Sequence, residues 1–225
     1  MSALPAGARG PARLFLIDDH AMFRAALRTM LEWPGRTTVV GDSADARSAV
    51  AAIGKLRPDV VLLDIAMPGL SGIDAIPRIR RAHAGARILM LTHHEGSTFV
   101  EEALRAGADG YLSKDSGPDE LRIAIESVTR GYPFISPKLS APLVAGTRGP
   151  RGARPSASRL SHLTAREREV FQLLALGRSN KEVARELEMS LGTAKKHREN
   201  LQRKLDSHSA AELARIAIEE GLLRC

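Results

Sequence analysis

For its first 130 or so residues the chain alternates short apolar runs with longer amphipathic segments, and then its character changes. The apolar runs are Arg13–Asp19 (RLFLIDD), Thr37–Val40, Val60–Asp64 (VVLLD), Arg87–Thr92 (RILMLT) and Gly110–Lys114 (GYLSK). Runs of this length bounded by turn residues read as strands buried on both faces of a parallel sheet. Between them lie segments of helical period: His20–Trp33, stopped by Pro34-Gly35; Ala44–Leu56; Ile73–Ala84; Phe99–Ala106; and Pro118–Thr129. Pro77 sits awkwardly inside the third segment, since an interior proline removes a backbone hydrogen bond, and it predicts a kink or a late helix start. Five strands alternating with five helices specify an α/β fold, a doubly wound five-stranded parallel sheet.

The second half reads differently. Pro137–Arg159 is crowded with Pro, Gly and Ser, lacks periodicity and carries five Lys/Arg with no acid, which predicts an extended basic tether. Beyond it the pattern is helical throughout. Thr164 and Glu167 form an S/T-x-x-E capping box opening a helix that ends at Gly177. Asn180–Leu187, about Gly192–Lys204, and Ala210–Glu220 follow, the middle two joined by a brief turn as in a helix-turn-helix. On the third of these helices Ala194, Leu201 and Leu205 share one stripe, while Lys195, Lys196, Glu199, Gln202 and Arg203 fall largely away from it. Such a face suits the major groove, although an ordinary solvated helix face has the same composition.

Charge sharpens this division. Residues 1–137 carry 16 Lys/Arg against 16 Asp/Glu, and residues 138–225 carry 17 against 10, so the whole net charge of +7 is C-terminal. A basic half beside a neutral one suggests two units with different partners, nucleic acid being the candidate for the second. No apolar stretch approaches the ~18 residues of a membrane span, and the N-terminus lacks a secretory apolar run, so a cytoplasmic protein with no membrane partner is expected. The single Cys225 excludes an intramolecular disulfide and argues against a cysteine metal cluster.

The strand ends gather candidate chemistry. Asp18 and Asp19 close the first strand, Asp64 the third, Thr92 the fourth and Lys114 the fifth, and right-handed crossovers place them all on one sheet edge. Singly, Asp64 reads more readily as a helix cap or loop solvator. Three neighbouring carboxylates, however, raise each other's pKa unless a cation intervenes. A hard divalent ion such as Mg²⁺ resolves the conflict, and Lys114 with the Thr92 hydroxyl then suits a phosphoryl group carried on Asp64.

DD at 18 and 19, DIAMPGLSG from Asp64 to Gly72, Thr92, and GYLSK ending at Lys114 together resemble the receiver domain of two-component response regulators, over roughly residues 12–131. The resemblance implies a flavodoxin-like fold with Asp64 as acceptor of phosphate from a sensor histidine kinase. It implies Mg²⁺ ligation by Asp19, Asp64 and the backbone carbonyl of Ala66, with Asp18 orienting a metal-bound water. Lys114 would pair with the phosphate, and Thr92 and Tyr111 would be the switch residues, Tyr111 moving inward; a plain core aromatic is the other reading of Tyr111. His93 departs from the pattern, in which a small or apolar residue follows the switch threonine. An imidazole bordering the approach of water implies an altered phosphoryl lifetime.

Residues 161–223, with LTAREREVFQLLALGRSNKEVARELEMS, TAKKH at Thr193–His197, RKL at 203–205 and EEGLL, resemble the LuxR-type helix-turn-helix of the NarL/FixJ regulators. By that resemblance Lys195 and Lys196 look at bases, and Thr193 and His197 lie near the DNA backbone or support the helix. Glu199 and Arg203 belong to the same DNA face, and the fourth helix would form the dimer contact through Leu213, Ile216 and Ala217. Ala194 and Arg198 stand where the family carries apolar residues, so Arg198 is expected to snorkel toward a phosphate or an acid.

The expected organisation is a receiver over 12–131, a flexible basic linker over 132–159 and a small all-α DNA-binding domain over 160–225. The expected function is that of a DNA-binding transcriptional regulator activated by phosphorylation at Asp64, not an enzyme. Its partners would be a sensor kinase, double-stranded promoter DNA, a second copy on phosphorylation or DNA binding, and RNA polymerase as a further candidate. Two alternatives remain: a constitutive DNA-binding regulator whose receiver serves only for dimerisation, and a Mg²⁺-dependent aspartyl-phosphate phosphohydrolase. The latter needs a general acid two residues after the nucleophile, where this chain has Ala66.

Overall fold

The computed structural model describes residues 10–67, 70–92, 97–139 and 159–220. Strands β1 (Ala12–Ile17), β2 (Thr37–Ser43), β3 (Val60–Asp64), β4 (Arg87–Thr92), β5 (Gly110–Ser113) and β6 (Phe134–Ile135) form one parallel sheet in the order β2-β1-β3-β4-β5-β6. Helices α1 (Ala21–Leu31), α2 (Ala46–Leu56), α3 (Gly72–Ala82), α4 (Ser97–Ala106) and α5 (Pro118–Thr129) connect the first five strands and follow the fifth.

Alternation along each strand decides which layer a residue joins, because successive side chains point to opposite faces. Phe15, Ile17, Val61, Leu63, Ile88 and Met90 pack beneath α2, α3 and α4 with Ile53, Ile76, Ile79 and Val100. Their neighbours Leu14, Leu16, Val60, Leu62, Leu89 and Leu91 pack beneath α1 and α5 with Leu27, Leu31, Leu121 and Ile125. Burying each such side chain contributes about 1.5–3 kcal/mol, so the two layers supply most of the drive to fold.

The sixth strand corrects two expectations, the count of five strands and a linker starting at residue 132. Phe134 donates its N–H to the Asp109 carbonyl at 3.2 Å and Ser136 donates to that of Tyr111 at 3.0 Å, so the chain is still held by the sheet edge there. Ser136 also donates its hydroxyl to Glu120 at 2.6 Å. Most of the expected tether, residues 140–158, lies outside the described residues. Pro77 does not delay α3, which begins at Gly72 and runs through it. The start is fixed earlier, by the Ser71 hydroxyl accepting from the Asp74 N–H at 3.3 Å and by the Gly72 N–H donating to the Ile65 carbonyl at 3.0 Å.

The C-terminal helices are a 3₁₀ turn (Arg159–His162), α6 (Ala165–Ala175), α7 (Asn180–Glu186), α8 (Leu191–Leu205) and α9 (Ala210–Glu219). Thr164 and Glu167 form the expected capping box, and Ser179 with Glu182 and Ser209 with Glu212 form two more. Val170, Phe171, Leu174, Val183, Leu187, Ala194, Leu201, Leu205, Leu213 and Ile216 make one core. Leu213, Ile216 and Ala217 are therefore committed to the interior, at 0%, 2% and 0% exposure, and cannot be the dimer contact. Among the described residues no helix is long and apolar enough to cross a membrane.

The two units meet through charge. Glu169 of α6, entirely buried, accepts from Arg47 of α2 at 3.0 Å, from Arg78 of α3 at 3.1 Å, and from its own neighbour Arg166. Arg168 reaches Asp74 of α3 at 3.2 Å and Glu102 of α4 at 3.9 Å. Burial is the leading influence on both acids and leaves their pKa values raised, with Arg168 pulling the other way.

Glu169→Ala is expected to strand two receiver guanidiniums and loosen this docking while both units stay folded. Small-angle scattering should show a larger radius of gyration than wild type, and an unchanged radius would mean the network does not hold the units together. Glu167→Ala should lower the stability of the C-terminal unit by about 1–2 kcal/mol, since it removes a cap and the Lys204 contact. Burial would raise the Glu167 carboxyl, but Lys204 and the Thr164 donors hold it below the usual glutamate range. Its contribution is therefore present at neutral pH and is lost as pH falls through that lowered value, which an acid titration of wild type against variant would read.

Candidate phosphoacceptor pocket and DNA interface

The strand order brings the ends of β1, β3, β4 and β5 side by side, and with them the residues the sequence singled out. Lys114 Nζ lies 2.5 Å from Asp18 Oδ2 and 2.6 Å from Asp64 Oδ2, with all three side chains buried. Thr92 closes the neighbouring strand, and its carbonyl accepts from the Lys114 N–H at 2.6 Å. Phe23 of α1 covers the ammonium, its ring centroid 4.9 Å from Nζ. Asp19 is partly open to solvent, so the pocket has an acidic mouth and a sealed floor.

Charge is not balanced here. Three carboxylates against one ammonium leave 1 − 3 = −2 in a cluster whose Asp18, Asp19, His20 and Asp64 ligand atoms all lie within 4.8 Å of one another. A divalent cation with oxygen preference fits that deficit and donor set. Burial raises the pKa of Asp64, Lys114 opposes the shift and the charge of Asp18 adds to it. The Asp64 backbone is also pinned: a Cβ on Gly72 would lie 1.9 Å from the Asp64 carbonyl oxygen, so only glycine starts α3 at this distance.

His20 was missed in the sequence, although it directly follows the acidic pair. Its Nδ1 lies 2.9 Å from Asp19 Oδ1 and 3.2 Å from Asp18 Oδ1, and its N–H donates to Asp18 at 2.8 Å. Tyr111, expected to move inward, is already fully buried, its phenol beside the Thr92 hydroxyl and its pKa pushed well up by burial. His93 lies outside the described residues.

In the C-terminal unit Ser190 caps α8, accepting from the Thr193 N–H at 3.0 Å, and its hydroxyl pairs with that of Thr193 at 2.8 Å. Ala194, Leu201 and Leu205 face inward as expected. Thr193, Lys195, Lys196, Glu199 and Arg203 are exposed and His197 is half-buried, so the docked receiver leaves this face open. Arg198 reaches the Asn180 side-chain oxygen at 3.5 Å rather than an acid. Lys204 binds Glu167 at 2.6 Å and ties α8 to the first turn of α6.

Residues 14–126 match the response regulator receiver domain family and residues 161–217 match the luxR family of bacterial regulatory proteins. The chain belongs to the NarL/FixJ family of response regulators. This response regulator is 37% identical over 215 residues to the transcriptional regulatory protein MctR of Rhizobium johnstonii, covering 96% of this chain and 97% of that one. It is 33% identical to the nitrate/nitrite response regulator NarL of Escherichia coli, covering 91% and 94% of the two chains. A solved structure of the response regulator ChrA, from a heme-sensing two-component system, superposes with a TM-score of 0.51 at 32% identity, covering 96% of this chain and all of that one. The protein is thus a DNA-binding transcriptional response regulator, and receivers of this kind generally bind Mg²⁺ at an acidic pocket.

Lys114→Met should leave two buried carboxylates uncompensated, which costs on the order of 3 kcal/mol at neutral pH. The substitution raises the folded-state pKa of Asp64 further. Stability lost at neutral pH should therefore return as pH falls through that value, or on adding Mg²⁺. Thermal melts of the variant that respond to neither would show that the ammonium does not balance these acids.

Proposed function

We propose that Asp64 accepts a phosphoryl group from a phosphohistidine on a sensor histidine kinase and that the acylphosphate state controls how the C-terminal unit engages promoter DNA. The observation that carries this reading is the buried Asp18–Lys114–Asp64 contact with Asp19 at its open side. In the transfer an Asp64 oxygen bonds to phosphorus while the phosphorus–nitrogen bond of the donor breaks, and the imidazole leaves as the neutral ring after taking up a proton. Asp19, Asp64 and the carbonyl of Ala66 would hold Mg²⁺, which when bound offsets the negative charge of the incoming group. Asp18 would orient water bound there. Lys114 is positioned to shift from the carboxylates to the new phosphoryl oxygens, and Thr92 supplies a hydroxyl donor.

A phosphoryl group adds about −1.5 to −2 charges at neutral pH, enough to redraw hydrogen bonds at the ends of β4 and β5. Tyr111, behind Thr92, transmits the change toward α4. That helix carries Glu102, a partner of Arg168, so a shift in α4 alters the grip on α6. On DNA, Lys195 and Lys196 would read base edges, with Thr193, His197 and Arg203 at or near the backbone. Glu199 would accept from a cytosine amine. Two copies, paired on phosphorylation or on a repeated site, complete the reading, with Asp64-independent constitutive binding as the competing one.

Incubating the full chain with Mg²⁺ and acetyl phosphate should add one phosphoryl mass to wild type and none to Asp64→Ala. The same samples on size exclusion test whether phosphorylation alters self-association, and equal mass gain in both proteins would end the proposal. Lys195→Ala should weaken binding to a specific site by about 1–3 kcal/mol and relax base preference at one position. Affinity and preference both unchanged would mean that another face of the domain meets the duplex.

A further inference from the structure

We propose that the cavity at the opposite edge of the receiver sheet, where β1, β2 and β4 begin, binds a small organic anion with an apolar body. The cavity measures about 520 Å³, within the range of small-molecule sites. Part of the lining is apolar, from Met30 and Leu31 of α1 and Ile125 of α5. The charged part is mostly cationic. Arg36, Arg87, Arg122 and Arg130 line it against Asp59 and Glu126, a balance of 4 − 2 = +2.

Trp33, the sole tryptophan of the chain and 39% exposed, also lines the cavity. Its backbone is fixed by a tight turn: the Trp33 N–H donates to the Thr37 carbonyl at 3.2 Å, and the Thr37 and Arg36 N–H groups donate to Trp33 at 3.0 and 2.9 Å. Gly35, at φ +74°, allows the reversal. The guanidinium carbons of Arg36 and Arg122 stand 5.2 and 5.3 Å from the indole centroid, so the ring orients both cations.

Arg87 is held by Asp109 at 3.0 Å, but the other three cations are only loosely committed. Arg36 and Arg130 share Glu126 at 3.6 and 3.7 Å, beyond hydrogen-bond length, and Asp59 is occupied by the Arg13 N–H at 2.9 Å. Arg122 pairs through one terminal nitrogen with Asp119 at 3.0 Å, and that carboxylate is almost fully exposed. Its Nε is buried and meets no acceptor among the described residues. A buried donor left unpaired is costly, and an anionic oxygen in the cavity would satisfy it. Carboxylate and phosphate share that chemistry; the apolar part of the lining asks for a hydrophobic body behind either. Asp64 lies at the other end of the strands, so occupancy does not compete directly with phosphorylation.

The single indole N–H resonance of ¹⁵N-labelled full chain provides the readout. It should shift saturably with 2-naphthoate and with 2-naphthyl phosphate, whichever binds tighter naming the headgroup, and about tenfold more weakly with 2-naphthalenemethanol. Arg122→Gln should weaken the tighter anion by about fivefold or more while still taking phosphate from acetyl phosphate on Asp64, which certifies its fold. Equal affinity for the neutral alcohol, an equal response to inorganic phosphate, no saturable shift, or a variant that folds and binds as wild type would each overturn the proposal.

Discussion

The pocket at the C-terminal sheet edge holds more negative charge than its own residues neutralise, and much of the receiver serves to keep it so. Asp18 and Asp64 are sealed beneath the surface and share one ammonium. Neither can turn out toward water, because the strands that carry them are buried on both faces and Asp64 is followed by a chain path that only Gly72 permits. An environment that must either take up protons or recruit positive charge is suited to a reversible charge-driven event. The two apolar layers give that cluster a rigid frame, so a change in its charge moves the elements at its rim rather than dispersing within the core.

The second unit is organised around hydroxyl caps. Thr164, Ser179, Ser190 and Ser209 each accept from a backbone N–H at a helix start, and three of them are answered by a glutamate. Caps fix where helices begin and so how α7 and α8 cross, which sets the direction in which Lys195 and Lys196 project. The core these helices enclose is small, and α9 spends its apolar stripe on closing it. Any contact between copies through α9 must use its outer residues, of which Ile218 is the exposed large apolar one.

What could be read in the sequence followed from periodicity. Strands buried on both sides appear as unbroken apolar runs, and the carboxylates that end them stood out against that background. The edge strand β6 escaped notice because two residues display no period, and the late start considered at Pro77 fails because helix starts depend on the preceding turn. The capping pairs at 179/182 and 209/212 carried the same spacing as the recognised one at 164/167 and were legible. Glu169 was not, since its three arginine partners include two that lie some 90 and 120 residues away and every one of these side chains looks solvated in its own helix. Leu213, Ile216 and Ala217 of the fourth helix were misassigned for a related reason, an apolar stripe being equally suited to a neighbouring protomer or to its own domain.

The junction between the units has a further consequence. Glu169 quenches a concentrated spot of positive charge that belongs partly to the receiver, through Arg47 and Arg78. When α6 departs, that carboxylate leaves with it: Arg47 and Arg78 lose their acceptor while Asp74 and Glu102 lose Arg168. Separation thus opens the paired seam into a receiver face where both signs stand unpaired and an α6 face in which Arg166 and Arg168 outnumber Glu169, the latter the more attractive partner for any polyanion nearby.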